Sequence, residues 1–438
     1  MLSQWTTSTS IEVISPEPCA APVPVPEEFG PRAAEAVGAL HRQVPGYAPT
    51  PLLALDGLAR ELGVKKIYVK NEAERFGLHA FKGLGGVYGM FRILCERYQL
   101  DPAAATPEMV REKVAQEAQA AQAGQTEQAA QEAQSTQAVQ ATQKAQTPVF
   151  VSATDGNHGR GVAWAGGIFG CRVHIYMPVC SAEARAQAIR EAGPAEVTIT
   201  DLSYDEAVGR ALEESRANGW YLIQDTAWDG YEQIPTWIMQ GYLTMAAEAD
   251  AQLRALGERP THLFLQAGAG SLAGSQLAYF ASVYGDNKPV TAIVEPDASN
   301  AIFRSAGAGD GTAQSVPGAP FTIMAGLNCG TPCSTAWPIL RDWAEFYLSC
   351  PDFVAAQGMR LYAQGTNGDP RITAGESGAA TLGALSMLCI SQELKGAAEA
   401  MHLSGDSVVL LFNTEGNTDP VNYRDILENG KYPLPADL

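Results

Sequence analysis

No apolar run in the sequence is long enough to cross a bilayer, and no CxxC pair or Cys/His cluster at zinc spacing occurs. The first absence speaks against a membrane-spanning helix. The second leaves no structural zinc site to expect. The eight cysteines (Cys19, Cys95, Cys171, Cys180, Cys329, Cys333, Cys350, Cys389) are scattered. They read as buried free thiols in a reducing compartment. Only Cys329 and Cys333 lie close together, and no metal is expected there. Positive charge is also scarce: 29 Lys and Arg stand against 48 Asp and Glu, a formal net charge of −19. Such a surface repels phosphate backbones and anionic membranes, so neither nucleic acid nor membrane is expected as a partner. An anionic cofactor is still admissible, because backbone N–H groups can hold it whatever the net charge. Between Met1 and Gly30 no basic segment leads into an apolar stretch, so no signal peptide is expected, and the expected location is the cytoplasm.

What is present is an ordinary globular composition, 46% hydrophobic and 18% charged. At 438 residues the chain exceeds what one core usually organises, so two domains are expected. Short apolar, β-branched runs occur at Lys66–Lys70, Val149–Ala153, Val173–Met177, Tyr221–Gln224, His262–Gln266, Val290–Val294 and Val408–Phe412. They alternate with helical patterns such as Phe81–Tyr98, Tyr204–Asn218 and Tyr231–Leu253. This alternation predicts an α/β fold with mainly parallel sheets and functional loops at the carboxyl ends of strands. Pro16 to Pro26 reads as part of an extended lead-in covering residues 1–30. From Gln116 to Gln146 a glutamine occupies every third position, eleven in all. A period of three slips by about 60° per repeat on a helix of about 3.6 residues per turn, so no apolar face forms. The tract reads as a solvated insertion within about residues 103–147, helical or disordered.

Five loops carry the chemistry. In Asn71–Gly86 a strand passes through a polar loop into a helix that starts near Lys82. The helix dipole disfavours a cation at that end, which lowers the amine pKa as a Schiff-base lysine requires. Ala80, Gly83, Gly85 and Gly86 leave room for a planar ring. The bland alternative is a surface lysine in a glycine-rich turn. Ser152–Gly159 follows an apolar strand and opens a helix, a cradle suited to a carboxylate. Asn157 can donate to a phenolate-like oxygen. Asp155 adds a negative charge there, which makes sense if the substrate carries a second ammonium or a base is needed; otherwise it caps the helix. His158 reads as a structural histidine. Gln266–Gly274 carries GxGxxxG, whose glycines let the backbone close on a phosphate, though a glycine-eased strand–helix turn explains it nearly as well. In Phe412–Asp419, Thr414 offers a neutral hydroxyl to a ring nitrogen, or the loop is simply polar and capped by Asp419. In Gln224–Tyr231, Asp225 beside aromatics suits ammonium recognition, or caps the following helix.

In this order the loops resemble those of the fold-type II pyridoxal-phosphate enzymes: lysine loop, Ser/Thr-x-Gly-Asn, glycine-rich loop, terminal Ser/Thr. Within that group the chain is similar to the diaminopropionate ammonia-lyase family from about Phe29 to Lys431, interrupted by the glutamine tract. The words that carry the likeness are Arg75-Phe-Gly-Leu-His-Ala-Phe-Lys82, Ala153-Thr-Asp-Gly-Asn-His-Gly-Arg-Gly-Val-Ala-Trp164, Gln224-Asp-Thr-Ala-Trp228, Gly326-Leu-Asn-Cys-Gly330 and Gly375-Glu-Ser-Gly378. Dehydratases of the group usually carry a small residue where Asp155 stands.

The resemblance implies a tryptophan synthase β-like fold: two open twisted sheets, mainly parallel and flanked by helices, with the active site between two domains. The large domain would comprise residues 1–83 and 206–438, and the small one residues 84–205. It implies pyridoxal 5'-phosphate on Lys82 as a Schiff base, in contact with Phe81, Asn157, Gly268, Ala269, Gly270, Ser271, Leu272 and Thr414. Thr154, Asp155, Gly156, His158 and Asp225 would meet a small amino-acid substrate. Lys82 would take the α-proton of the L-isomer and Asp155 that of the D-isomer, with Asp225 holding the distal ammonium. The implied reaction is elimination of ammonia from 2,3-diaminopropionate, giving pyruvate and two ammonia, in a homodimer. The alternatives are a serine or threonine dehydratase, a cysteine-synthase-like β-replacement enzyme, or a silent relative that binds partners through its glutamine-rich arm.

Overall fold

The computed structural model describes residues 2–19, 21–131, 147–179, 181–318 and 321–436. The expectation for the glutamine tract beyond Gln131 falls outside them. Twelve strands are formed among the described residues: β1 (Ser3–Thr6), β2 (Glu12–Ser15), β3 (Leu52–Ala54), β4 (Lys66–Asn71), β5 (Val149–Ala153), β6 (Arg172–Met177), β7 (Ala195–Ile199), β8 (Tyr221–Leu222), β9 (His262–Gln266), β10 (Val290–Pro296), β11 (Phe346–Cys350) and β12 (Val408–Asn413). They make an eight-stranded sheet in the order β1-β2-β11-β10-β9-β12-β4-β3 and a four-stranded sheet in the order β7-β6-β5-β8. The small sheet is parallel throughout. In the large one the run from β11 to β4 is parallel, and antiparallel strands close both ends. Helices between parallel strands cover both faces, which is why β5, β9, β11 and β12 are buried along their whole length.

The chain divides into two compact units. One is Met1–Gly38, Gly46–Phe81 and Asp225–Leu438; the other is Ala39–Pro45 and Lys82–Gln224. The helix Tyr204–Asn218 and β8 fall in the second unit, where β8 pairs with β5 in the four-stranded sheet. The helix itself is well specified: Ser203 and Glu206 form a reciprocal cap at its start, and Gly219 turns left-handed (φ 67°) at its end.

The first thirty residues are not merely a lead-in. β1 and β2 form a hairpin that pairs with β11, and Val13 and Ile14 are buried. The helical pattern Tyr231–Leu253 is two helices, Gln233–Gly241 and Leu243–Ala255, joined at Tyr242. The insertion begins as a helix, Pro107–Gln131, whose first turns belong to the fold. Val110 and Val114 are buried, and Glu117 accepts hydrogen bonds from Tyr98 Oη at 2.6 Å and from Arg97 Nε at 3.1 Å. No described helix is long and apolar enough to cross a membrane.

One packing contact shows how glycine serves the core. Gly358 and Gly383 let the helices Asp352–Gln364 and Glu376–Ile390 touch backbone to backbone: a Cβ on Gly358 would lie 2.1 Å from Ala379 O, and one on Gly383 1.9 Å from Val354 O. β9, β12 and β4 are neighbours and parallel, so the loops after them leave the same edge of the sheet. These are the glycine turn, the Thr414 loop and the lysine loop.

Candidate active site

After β9 the chain turns through Ala267–Gly270 into the helix Ser271–Tyr284. Gly270 is left-handed (φ 98°), and a Cβ there would come within 2.8 Å of Leu340 Cδ1 and 2.9 Å of Ile302 Cδ1. A Cβ on Gly268 would lie 3.0 Å from the Leu327 backbone. Gly270 is therefore demanded by the turn, and a side chain at Gly268 would press on the Leu327 backbone. The helical ladder starts with Gly274 N–H donating to Gly270 O at 2.8 Å, and Ala267 N donates to Val294 O at 2.9 Å, so the amides between them are left to an outside acceptor. That suits an anion.

Beside this turn, Gln266 at the end of β9 gathers the strand ends. Its Nε2 donates to Phe412 O at 2.9 Å, to Thr414 Oγ1 at 3.0 Å and to Ser377 O at 3.2 Å. Thr414 is buried and its hydroxyl is an acceptor here, so its own proton is available to donate elsewhere. The Thr414 carbonyl accepts from Phe81 N at 3.2 Å. The residue preceding Lys82 in the chain is thus fixed to the loop that carries Thr414.

Asp225 is buried. Its carbonyl accepts from Ser271 Oγ at 2.8 Å. The Ser271 hydroxyl proton is thereby committed, and its contribution to an anion is the backbone N–H. Two residues on, Ala227 N donates to Cys333 Sγ at 3.4 Å, and Cys333 N donates to Ala269 O at 2.7 Å. Trp228 and Tyr231 close this loop by stacking, with ring centroids 4.4 Å apart.

In the other unit, Lys82 is the first residue of the helix Lys82–Tyr98 and is partly buried. The helix Asn157–Phe169 packs directly on its first turn. A Cβ on Gly161 would lie 2.8 Å from Lys82 C and O, and one on Gly86 would lie 2.8 Å from Gly161 O. The turn that opens this second helix is Thr154-Asp155-Gly156. Thr154 Oγ1 accepts from Gly156 N at 3.0 Å and Gly159 N at 3.1 Å, which leaves its hydroxyl proton for another partner. Asp155 and Asn157 are partly buried and flank Gly156 (φ 150°). His158 Nε2 donates to Ile223 O at 2.8 Å, which supports the structural reading of this ring. Gln224 Oε1 accepts from Ser152 Oγ at 3.0 Å and Ala153 N at 3.1 Å. The two strand ends that lead to Asp155 and Asp225 are tied by this amide. In the sequence Gln224 and Gln266 end strands and open two of the candidate loops, but neither has an expected role of its own. Their signal was a polar residue closing an apolar strand.

Residues 128–412, more than half the chain, match the family model described as pyridoxal-phosphate dependent enzyme. The chain is 43% identical to the diaminopropionate ammonia-lyase of Escherichia coli K12 over 394 residues, covering 90% of this chain and 91% of the relative. This chain belongs to the diaminopropionate ammonia-lyase family of pyridoxal-phosphate-dependent enzymes. Among solved structures, the Escherichia coli diaminopropionate ammonia-lyase in complex with D-serine matches with a TM-score of 0.84 at 40% identity, covering 99% of this chain and 100% of that one. The same enzyme in complex with an aminoacrylate-PLP azomethine reaction intermediate matches with a TM-score of 0.82, covering 98% and 99%. The fold expected from the sequence, α/β of fold type II, is the fold of the family.

The family's cofactor can be tested against the residues present. A phosphate needs converging amides, and those between Ala267 and Gly274 lie at the start of a helix, outside its ladder. A pyridine nitrogen needs a polar partner, and Thr414 has a proton to give. An aldehyde needs an amine, and Lys82 follows directly on Phe81, whose N–H is bound to Thr414 O. The residues fit pyridoxal phosphate. Among the described residues no group of three or more His, Cys, Asp or Glu could hold a metal ion.

Proposed function

We propose that this chain eliminates ammonia from 2,3-diaminopropionate, giving pyruvate and two ammonia with uptake of one water, and that it accepts both the D- and the L-isomer. The observation that carries this reading is local. The helix opened by the Asp155 turn lies against the backbone of Lys82 itself, so an amine and a carboxylate belong to one packed pair of helices. Full-length identity to the ammonia-lyases supports it.

The amides of Gly268, Ala269, Gly270, Ser271 and Leu272 would hold the phosphate, Asn157 the ring oxygen and Thr414 the ring nitrogen, with Phe81 alongside. Bound pyridoxal phosphate supplies a conjugated ring that takes up the electron pair left when the α-proton departs. A neutral hydroxyl at the ring nitrogen leaves that nitrogen uncharged, which moderates the electron sink and favours elimination over transamination. The Lys82 amine holds the cofactor and accepts the α-proton of the L-isomer. The Asp155 carboxylate accepts that of the D-isomer from the opposite face. Thr154, Gly156 and Asp225 bind the substrate, Asp225 at the distal ammonium, and His158 braces the segment before Asp225. The bond from Cβ to nitrogen then breaks, the electron pair leaving with ammonia. The released 2-aminoacrylate takes up water and loses the second ammonia. We further propose a homodimer, supported by the family resemblance, and a cytoplasmic location, in keeping with the absence of disulfides among the described residues.

Asp155→Asn tests the two-base reading. Removing a general base costs roughly 10²–10⁴-fold, so turnover of the D-isomer falls by at least about 100-fold while the L-isomer loses less than about tenfold. Equal losses would show that Asp155 is not the second base. Faster production of pyruvate from serine than from diaminopropionate would overturn the substrate.

A further inference from the structure

Four charged side chains are buried together at the start of the lysine loop: Lys70 at the end of β4, Glu72 and Arg75 in the loop, and Glu248 on the helix Leu243–Ala255. Their formal charges cancel, and nearly every donor is used. The Arg75 guanidinium grips Glu72 through Nε and Nη2 at 2.7 and 2.8 Å. It grips Glu248 through Nη1 and Nη2 at 2.9 and 2.7 Å, and its remaining N–H reaches Ala48 O at 3.0 Å. Lys70 Nζ donates to Glu248 Oε2 at 2.6 Å, Thr50 O at 2.6 Å and Gln252 Oε1 at 3.0 Å. Tyr47 Oη adds a bond to Glu248 Oε1 at 2.9 Å. Burial opposes the Glu248 charge, yet Arg75 and Lys70 hold its carboxyl down to about 2.

Apolar residues of the same volume stabilise a core as well as such a network does, or better. What two bidentate forks add is orientation: a planar guanidinium held on both edges cannot rotate. The chain beyond Arg75 needs that constraint. Phe76 (φ 54°), Gly77 (φ 71°) and His79 (φ 53°) all lie in the left-handed region. Non-glycine residues persist there only where the surroundings over-determine them. The far end of the loop is held by Gly416 N to His79 O at 2.9 Å, by a bridge between Ala80 and Glu415, and by Phe81 N to Thr414 O at 3.2 Å. The near end is held by Arg75.

We propose that Arg75, locked by Glu72, Glu248 and Lys70, is a positioning residue that fixes the loop delivering Lys82. The proposal rests on the reading of Lys82 as the cofactor-bearing amine, and none of the four touches the reacting atoms in it. Arg75→Lys keeps the charge and removes the fork. Hydrogen exchange followed by mass spectrometry on the cofactor-loaded protein compares residues 76–82 with β9. In the variant, residues 76–82 exchange at least ~10-fold faster, the scale of one lost charged hydrogen bond, while β9 keeps its protection. The rate at which borohydride traps added cofactor on Lys82 falls in step. Tyr47→Phe, a gentler change, accelerates the same residues by roughly threefold to tenfold and carries the test alone if Arg75→Lys does not fold. Unchanged exchange at residues 76–82, or equal acceleration in the loop and in β9, overturns the proposal, because the network would then serve stability only. If wild-type protein is never trapped on Lys82 while the loop still loosens in the variants, the reading of Lys82 fails and the loop anchor stands.

Discussion

Valine in place of Thr414 keeps much of the side-chain shape and deletes its hydroxyl. That hydroxyl accepts a hydrogen bond from Gln266 Nε2 at 3.0 Å. The same amide nitrogen also reaches Phe412 O at 2.9 Å and Ser377 O at 3.2 Å. Two N–H groups are thus left with two acceptors, and nothing buried is stranded by the change. The cost to the fold is at most about 1 kcal/mol. The functional cost differs. A hydroxyl that accepts from Gln266 directs its own proton elsewhere, and in the proposed site that partner is the ring nitrogen. Losing that bond weakens cofactor binding by about 1–2 kcal/mol, roughly 5- to 30-fold in Kd. Cofactor titrated into the stripped protein and followed by its visible band gives the affinity, and thermal unfolding of the stripped protein gives the stability. The expected result is weaker binding with little change in unfolding temperature. A collapsed unfolding temperature with unchanged affinity would refute the reasoning, since the hydroxyl would then tie β9 to β12 and nothing more.

Gly161→Ala forces a Cβ to within 2.8 Å of the Lys82 carbonyl. The backbone must shift, costing about 1–3 kcal/mol and slowing cofactor capture by Lys82. Chemical unfolding and borohydride trapping check both, and an unaffected protein would contradict the packing. Glu295 is fully buried, and burial pushes its carboxyl up to about 8 despite N–H bonds from Ile302 at 3.0 Å and Phe303 at 2.6 Å. Its folded pKa lies above the ordinary 4.5, so the folded chain holds the proton longer than the unfolded one. Stability contributed by this group is therefore present at low pH and lost as pH rises through that window, by up to ~1.4 kcal/mol per pH unit. Glu295→Gln removes that slope, and urea unfolding across the window that shows the wild-type slope intact would refute it.

Much of this was legible because the signals are local. β5 and β9 are short, mainly apolar runs, and the structure gives them the expected bounds. The loops after β4, β5, β9 and β12 were found because each follows such a run. β8, expected over Tyr221–Gln224, is only two residues long, too short for the sequence to show that it pairs with β5. The hairpin β1–β2 has four residues per strand, and its reason to exist is β11, more than three hundred residues away. The charged cluster was hidden for the same reason: Arg75 and Glu248 are 173 residues apart, and each alone looks like a surface charge.

Distance along the chain also conceals what holds Asp225. Its sequence context, a carboxylate beside Trp228 and Tyr231, suggested recognition of an ammonium but not where that carboxylate would be held. Ser271, at the mouth of the glycine turn, takes the Asp225 carbonyl at 2.8 Å. Cys333 accepts from Ala227 N at 3.4 Å and donates its own N–H to Ala269 O, while Ser334 N reaches Ala227 O at 3.2 Å. The amides assigned to the phosphate and the segment assigned to the distal ammonium are thereby one bonded group. Their separation is set by two backbone hydrogen bonds and by two short side chains, Ser271 and Cys333, rather than by the reach of a long one. In the proposed site that bonding fixes the backbone at Asp225 relative to the glycine turn, so a diamino acid longer than diaminopropionate is expected to fit less well.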